Sequence, residues 1–204
     1  MPFNSDIISI MYGLAGLYTL YSLYANRISF FDRVVTSSDI NLAFMVAIFV
    51  LTPMGVLLHE AGHFFTAKAF GATQIEMHFR GYWGYVSYIK GPGFDMSKAI
   101  WVSAAGPVFS VLLAFLSTAA AVTLPVRTIL KRVLASFGAV SGIHILIGYP
   151  IIDLLSDLHG DFHSIYRSLP IPMAVLIGVV HALLVVLLFL SWKYPPTSDY
   201  LSSD

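Results

Sequence analysis

The sequence predicts an all-α polytopic membrane protein, with about five transmembrane helices and a small β-like segment between the second and third. Three observations carry this. Of the 204 residues, 57% are hydrophobic and only 11% charged, against about a quarter charged in soluble domains. Five apolar stretches, near 7–25, 40–69, 98–124, 132–152 and 171–192, come close to or exceed the twenty or so residues that a ~30 Å hydrocarbon core requires. Between the second and third, "GATQIEMHFRGYWGYVSYIKGPGFDMS" at 71–97 mixes glycines, aromatics and β-branched residues with polar ones, a composition that favours strands over a helix.

The first stretch, "MPFNSDIISIMYGLAGLYTLYSLYANR", has no basic n-region, and Asp6 is its first charge. Its apolar run is long enough to span a bilayer, so it reads as a retained helix rather than a signal peptide. The second, 40–69, measures about 45 Å as one helix at 1.5 Å per residue, longer than the hydrocarbon core. Lys68 near its end is expected to snorkel to one surface. Pro53 and Gly55 are expected to kink it or to admit a neighbour closely.

Segment 71–97 reads either as an ordered connection or as one or two strands whose edge can pair with an extended peptide, and "GPG" at 91–93 marks a turn. "PVRTILKR" separates the third and fourth spans, and "DLLSDLHGDFHSIYRSLP" the fourth and fifth. The tail "KYPPTSDYLSSD" at 193–204 is polar and is expected to fray. The small-residue runs "GLAG" at 13–16 and "GAVSG" at 138–142 read as ordinary close helix packing. No repeat is visible, so residues 1–204 form one membrane-embedded domain with its core at 40–170. Lysines and arginines divide five against six between the two sides, which sets no orientation under the positive-inside rule.

Composition also removes function classes. The chain has no cysteine, excluding disulfides, zinc–thiolate sites and thiol nucleophiles. Net charge is zero and no basic patch is present, so no nucleic-acid partner is expected. The expected partners are the lipid bilayer and a membrane-protein or membrane-peptide substrate.

Within the second span stands "VLLHEAGHFFTAKAF" at 56–70. An ionised residue in a span costs several kcal/mol unless paired and marks a functional site by default. "HEAGH" matches HExxH: on a helix, His59 and His63 lie one turn apart on one face and can share a zinc ion, while Glu60 beside them serves as general base. With seven histidines and only two glutamates in the chain, shuffling produces this motif in about one sequence in 400. If Lys68 marks the surface, His63 lies roughly 8 Å and His59 roughly 14 Å below it.

Zinc requires a third protein ligand. Ala69 occupies the place where an elongated histidine motif would carry its third histidine, and the second glutamate, Glu76, lies in the loop-like segment. The residues left are His78, His144, His159, His163, His181, Asp153, Asp157 and Asp161. The three aspartates are spaced by four, on one face if helical. His144 and His181 lie within spans and can instead line a cavity or bond a backbone carbonyl.

With these residues in hand, the chain resembles the site-2 protease family of intramembrane zinc metalloproteases over about 110 residues, 53–165. The shared order is HExxH in a span (His59, Glu60, His63), a glycine-rich β-like segment at 71–95, a span carrying Gly106–Pro107 in "AAGPVFS", and a span ending in a proline followed by aspartates, "GYPIIDLLSDLHGDFHSIY". The chain departs from the family's pattern at Ser110 and Ile147, where members carry asparagine, and in a stretched aspartate–glycine element. The resemblance implies Asp161 as third zinc ligand, since "DFHSI" keeps an aliphatic residue four positions on, with Asp157 next. It also implies hydrolysis of peptide bonds in membrane-spanning substrates, one Zn2+ per chain, and Glu60 as general base for the attacking water; His144 or Ser110 are the candidate helpers to the oxyanion. Two rivals stand beside it: a catalytically inactive homologue that binds membrane partners, and a bis-histidine haem electron carrier using His63 with His144 or His181.

Overall fold

The computed structural model describes residues 2–155 and 159–201. Helix α1 (Pro2–Ala25) and the single turn α2 (Arg27–Phe30) lead to α3 (Ser37–Val46), which passes through a π-helical turn at Ala47–Leu51 into α4 (Thr52–Ala69). Strands β1 (Thr73–Phe79) and β2 (Gly84–Ile89) form an antiparallel hairpin. Next come α5 (Met96–Thr123) and α6 (Thr128–Ile143), the latter continuing through a second π turn at His144–Gly148 into α7 (Tyr149–Leu155). Helices α8 (Asp161–Ser168), α9 (Ile171–Lys193) and α10 (Pro195–Leu201) follow. Five runs, Asp6–Ala25, Ser37–Ala69, Met96–Thr123, Thr128–Leu155 and Ile171–Lys193, are long and apolar enough to cross a membrane. They coincide with the five stretches read from the sequence.

Each π turn stands just ahead of a proline. In the second run the Thr52 N–H reaches back to the Ala47 carbonyl, and Pro53 has no N–H to offer the Ile48 carbonyl. The Tyr12 hydroxyl donates to that carbonyl instead, fastening α1 to the helix that carries the HExxH motif. The irregularity expected at Pro53 therefore takes the form of a π turn. In the fourth run Pro150 withholds the N–H that the Leu146 carbonyl would meet four residues on. His181 Nε2 donates to it from α9 at 2.8 Å, the role that the sequence left open for an intramembrane histidine. Its Nδ1 faces the Tyr166 hydroxyl at 3.3 Å.

The start of α3 buries a carboxylate without leaving it unpaired. Asp39 accepts from the Thr36 N–H at 2.9 Å and from the Thr36 hydroxyl at 2.6 Å, and its own N–H reaches Thr36 Oγ1, a capping box. α5 packs between α4 and α6. One apolar cluster (Phe30, Leu42, Ala43, Val46, Ile129, Val133) joins α2, α3 and α6. A second (Ile145, Leu146, Phe162, Leu188) joins the second π turn, α8 and α9. The small residues Gly16 and Gly138 face Phe49 and Thr118 of neighbouring helices, which is packing, as expected.

Segment 71–97 resolves into two strands. Glu76 pairs Ser87, Met77 pairs Val86, His78 pairs Tyr85 and Phe79 pairs Gly84, with an irregularity between Thr73 and Glu76 where Gln74 takes φ 47°. Gly93, in the expected "GPG" turn, has φ 72°. The tail departs from expectation. Its residues 195–201 are helical rather than frayed: a proline stands at the first helical position, where no N–H partner is needed, and the Thr197 and Ser198 N–H groups both reach the Tyr194 carbonyl. Thr197 is buried, and α10 packs against α6 and α9.

Candidate metal centre

Helix α4 presents His59 and His63 one turn apart, and their Nε2 atoms lie 3.1 Å from each other. Asp161, at the first turn of α8 and 102 residues beyond His59, brings Oδ2 to 3.1 Å from His59 Nε2 and 3.3 Å from His63 Nε2. Tetrahedral zinc with bonds of about 2.0–2.1 Å holds its ligand atoms about 3.3 Å apart. The three donors thus already stand at the separations one such ion requires, and two imidazoles with one carboxylate are a donor set that zinc accepts. Among the described residues this is the one group of three or more such side chains with metal-binding geometry.

The far side of each imidazole is held. His63 Nδ1 donates to the Val102 carbonyl of α5 at 2.6 Å, which leaves the Nε2 lone pair facing the centre. His59 Nδ1 lies 2.9 Å from Ser110 Oγ, two turns further along α5. Ser110, read from the sequence as a departure and as a helper to the oxyanion, is a partner of His59. Both contacts require α5 to come very near α4, and Gly106 permits it. A Cβ there would fall 2.2 Å from His63 Nε2 and 2.5 Å from His59 Nε2, so no other residue fits without displacing the imidazoles.

Glu60 is buried, and its Oε2 has no hydrogen-bond partner among the described residues. A buried carboxylate oxygen left unpaired is costly, so this position needs a cation or a proton-bearing ligand beside it. The hairpin closes over this side chain. A Cβ on Gly84 would lie 2.8 Å from Glu60 Cγ, so the first residue of β2 is glycine where the strand meets this side chain. Asp161 lies outside the five apolar runs. Burial works to raise its carboxyl, but when the two rings carry a proton toward it the hydrogen bonds and charge of His59 and His63 overcome this and hold it down at about 2. It therefore presents an anionic oxygen at neutral pH.

The remaining sequence candidates do not join the centre. His78 stacks on Tyr85 at 4.4 Å and lies 3.5 Å from Glu76 on the exposed hairpin. His144 stacks parallel to Tyr149 at 6.0 Å. His159 and His163 face each other at 4.4 Å. His181 has both ring nitrogens engaged, by the Tyr166 hydroxyl and the Leu146 carbonyl. Asp153 turns both oxygens to backbone N–H groups. Asp157 lies outside the described residues. Asp153 and Asp161 do not share one helical face, because residues 159 and 160 between them are not helical and α8 begins afresh at Asp161.

Sequence reasoning missed Tyr149. Its hydroxyl donates to Asp161 Oδ2 and accepts from the Asp161 N–H, both at 3.2 Å. No local pattern marks a tyrosine for that role. Gly106 stands out in the sequence as half of a Gly–Pro pair, but its steric reason is visible only in three dimensions. A scan against protein-family models and searches of curated proteins and solved structures find no match to this chain.

Proposed function

We propose that the chain is an intramembrane zinc metalloprotease of the site-2 type, a multi-pass membrane protein that hydrolyses peptide bonds of membrane-spanning substrates. One observation carries the reading: His59, His63 and Asp161 converge at metal-binding separations beside a buried glutamate whose Oε2 is unpaired. His59, His63 and Asp161 would hold the ion, and Glu60 stands next to them without being needed as a ligand. A zinc ion bound there supplies Lewis acidity, polarising the scissile carbonyl and bringing the pKa of a bound water to about 7.

The chain's own groups do the rest. Glu60 accepts the water's proton and passes it to the leaving amine, a role for which a buried, otherwise unengaged carboxylate in reach of the reacting atoms is suited. Val102 and Ser110 fix the two imidazoles from behind, so neither ring must reorient during turnover. A substrate helix hides its carbonyls in its own hydrogen bonds and must unwind before attack. The two-stranded hairpin leaves each strand one unpaired edge, and an extended peptide added there is delivered beside Glu60, which Gly84 touches.

The test is Glu60→Gln with a single-span reporter substrate and zinc content measured in parallel. Zinc retained with cleavage abolished is the expected result; unchanged cleavage removes Glu60 from the chemistry. Wild-type protein that binds stoichiometric zinc yet cleaves no membrane substrate points to the inactive homologue. A strong Soret band in the purified protein points to haem.

A further inference from the structure

Asp153 is fully buried, at 0% exposure, in the last turn of the fourth apolar run. A carboxylate in such a place has to be fully engaged, and this one is engaged by the start of α8. Its Oδ1 accepts the Gly160 N–H at 2.6 Å and its Oδ2 the His163 N–H at 2.9 Å. Helix α8 has no cap of its own, since its N-cap residue is Gly160, and first-turn N–H groups lack partners within a helix. Asp153 provides the missing cap from another helix. One turn before Asp153 on the same face of α7, the Tyr149 hydroxyl takes the Asp161 N–H and donates to Asp161 Oδ2. Together the two side chains engage the N–H groups of Gly160, Asp161 and His163. Gly160 leaves them room: a Cβ there would fall 2.6 Å from the Tyr149 hydroxyl and 2.8 Å from Asp153 Oδ1.

We infer that Asp153 and Tyr149 are the positioning pair of the metal centre, gripping the first turn of α8 so that Asp161 Oδ2 faces both imidazoles before any ion arrives. This rests on the metal reading above. The two aspartates divide the work: Asp153 spends its charge on backbone N–H groups and stays off the metal, while Asp161 keeps an oxygen for it. Outer partners that orient a ligand typically contribute about 10–100-fold to metal affinity.

The experiment compares wild type, Asp153→Asn, Tyr149→Phe and Ile129→Ala in detergent. Zinc affinity is measured by chelator competition, the ligand field by the visible spectrum of the Co2+-substituted protein, and stability by thermal unfolding. Ile129 belongs to the apolar cluster of α2, α3 and α6 and controls for simple destabilisation. The expected result is a fall of about 10–100-fold in zinc affinity and a displaced Co2+ spectrum for Asp153→Asn and Tyr149→Phe, with both readouts unmoved in Ile129→Ala. Tyr149→Phe removes a single hydroxyl and carries the test should Asp153→Asn not fold. Wild-type affinity and an unmoved spectrum in the variants overturn the positioning role and leave the metal site standing. Wild-type protein that takes up neither zinc nor cobalt overturns both.

Discussion

Replacing Gly106 with alanine puts one methyl group into the centre. The added Cβ lies 2.2 Å from His63 Nε2 and 2.5 Å from His59 Nε2, whereas ordinary van der Waals contact begins near 3.4 Å. One ring or the α5 backbone must therefore retreat by roughly 1 Å. His63 has little freedom to do so, because its Nδ1 is tied to the Val102 carbonyl on the same helix that the methyl pushes. Overpacking of this kind costs about 1–3 kcal/mol. Alanine's better helix propensity returns at most about 1 kcal/mol, so the net sign is destabilising. The functional loss is larger than the structural one. A displacement near 1 Å at a reacting centre costs about 100-fold in rate, and disturbed ligand orientation costs about 10–100-fold in metal affinity.

The assay measures zinc affinity and reporter cleavage for Gly106→Ala beside Gly178→Ala, since a Cβ added at Gly178 would meet nothing within 4 Å. Gly178→Ala should equal or slightly exceed wild-type stability and leave both readouts alone. Gly106→Ala should lose at least about tenfold in zinc affinity and about 100-fold in cleavage. Wild-type zinc affinity and cleavage in Gly106→Ala would refute the steric argument, and with it the claim that both Nε2 atoms face the point where α5 passes.

Four further outcomes follow from the same geometry. Ser110→Ala removes the partner of His59 Nδ1 and should weaken zinc binding by about 10–100-fold, measured by chelator competition. Gly84→Val drives a side chain against Glu60 and should reduce cleavage while zinc content stays at the wild-type level, which metal analysis beside the reporter assay checks. His181→Phe leaves the Leu146 carbonyl without its donor and should lower stability by about 1–3 kcal/mol, read by thermal unfolding with zinc affinity unchanged. Thr36→Ala opens the capping box with Asp39 and should cost about 1 kcal/mol without touching the centre, which thermal unfolding beside metal analysis checks.

The five long apolar helices were legible in the sequence because hydropathy is summed over some twenty residues, and an error of a few residues at either end leaves the sum intact. His59, Glu60 and His63 were legible because a helix of 3.6 residues per turn brings i and i+4 together wherever it runs. The hairpin was half legible: the composition of 71–97 named strands, but register depends on pairing across the turn, and the tolerance of Gln74 for φ 47° has no sequence signature. The tail was misread because polar composition does not reveal that Thr197 becomes buried.

The carboxylate that joins the two histidines marks where periodicity stops helping. A spacing of four places Asp153, Asp157 and Asp161 on one face only while a single helix continues through them. Residues 159 and 160 are not helical, His159 takes φ 51°, and α8 starts afresh at Asp161. The break matters chemically. On one uninterrupted helix Asp153 and Asp161 would point the same way and compete for the same cation. With the break, Asp153 faces the new helix's N–H groups and Asp161 faces the histidines. A carboxylate whose two oxygens both accept backbone N–H bonds has its donors in place, whereas one held against two imidazoles is incomplete without a cation or a proton. Ligand and scaffold are therefore told apart by where the helix stops, and a pattern of residue types alone does not record that.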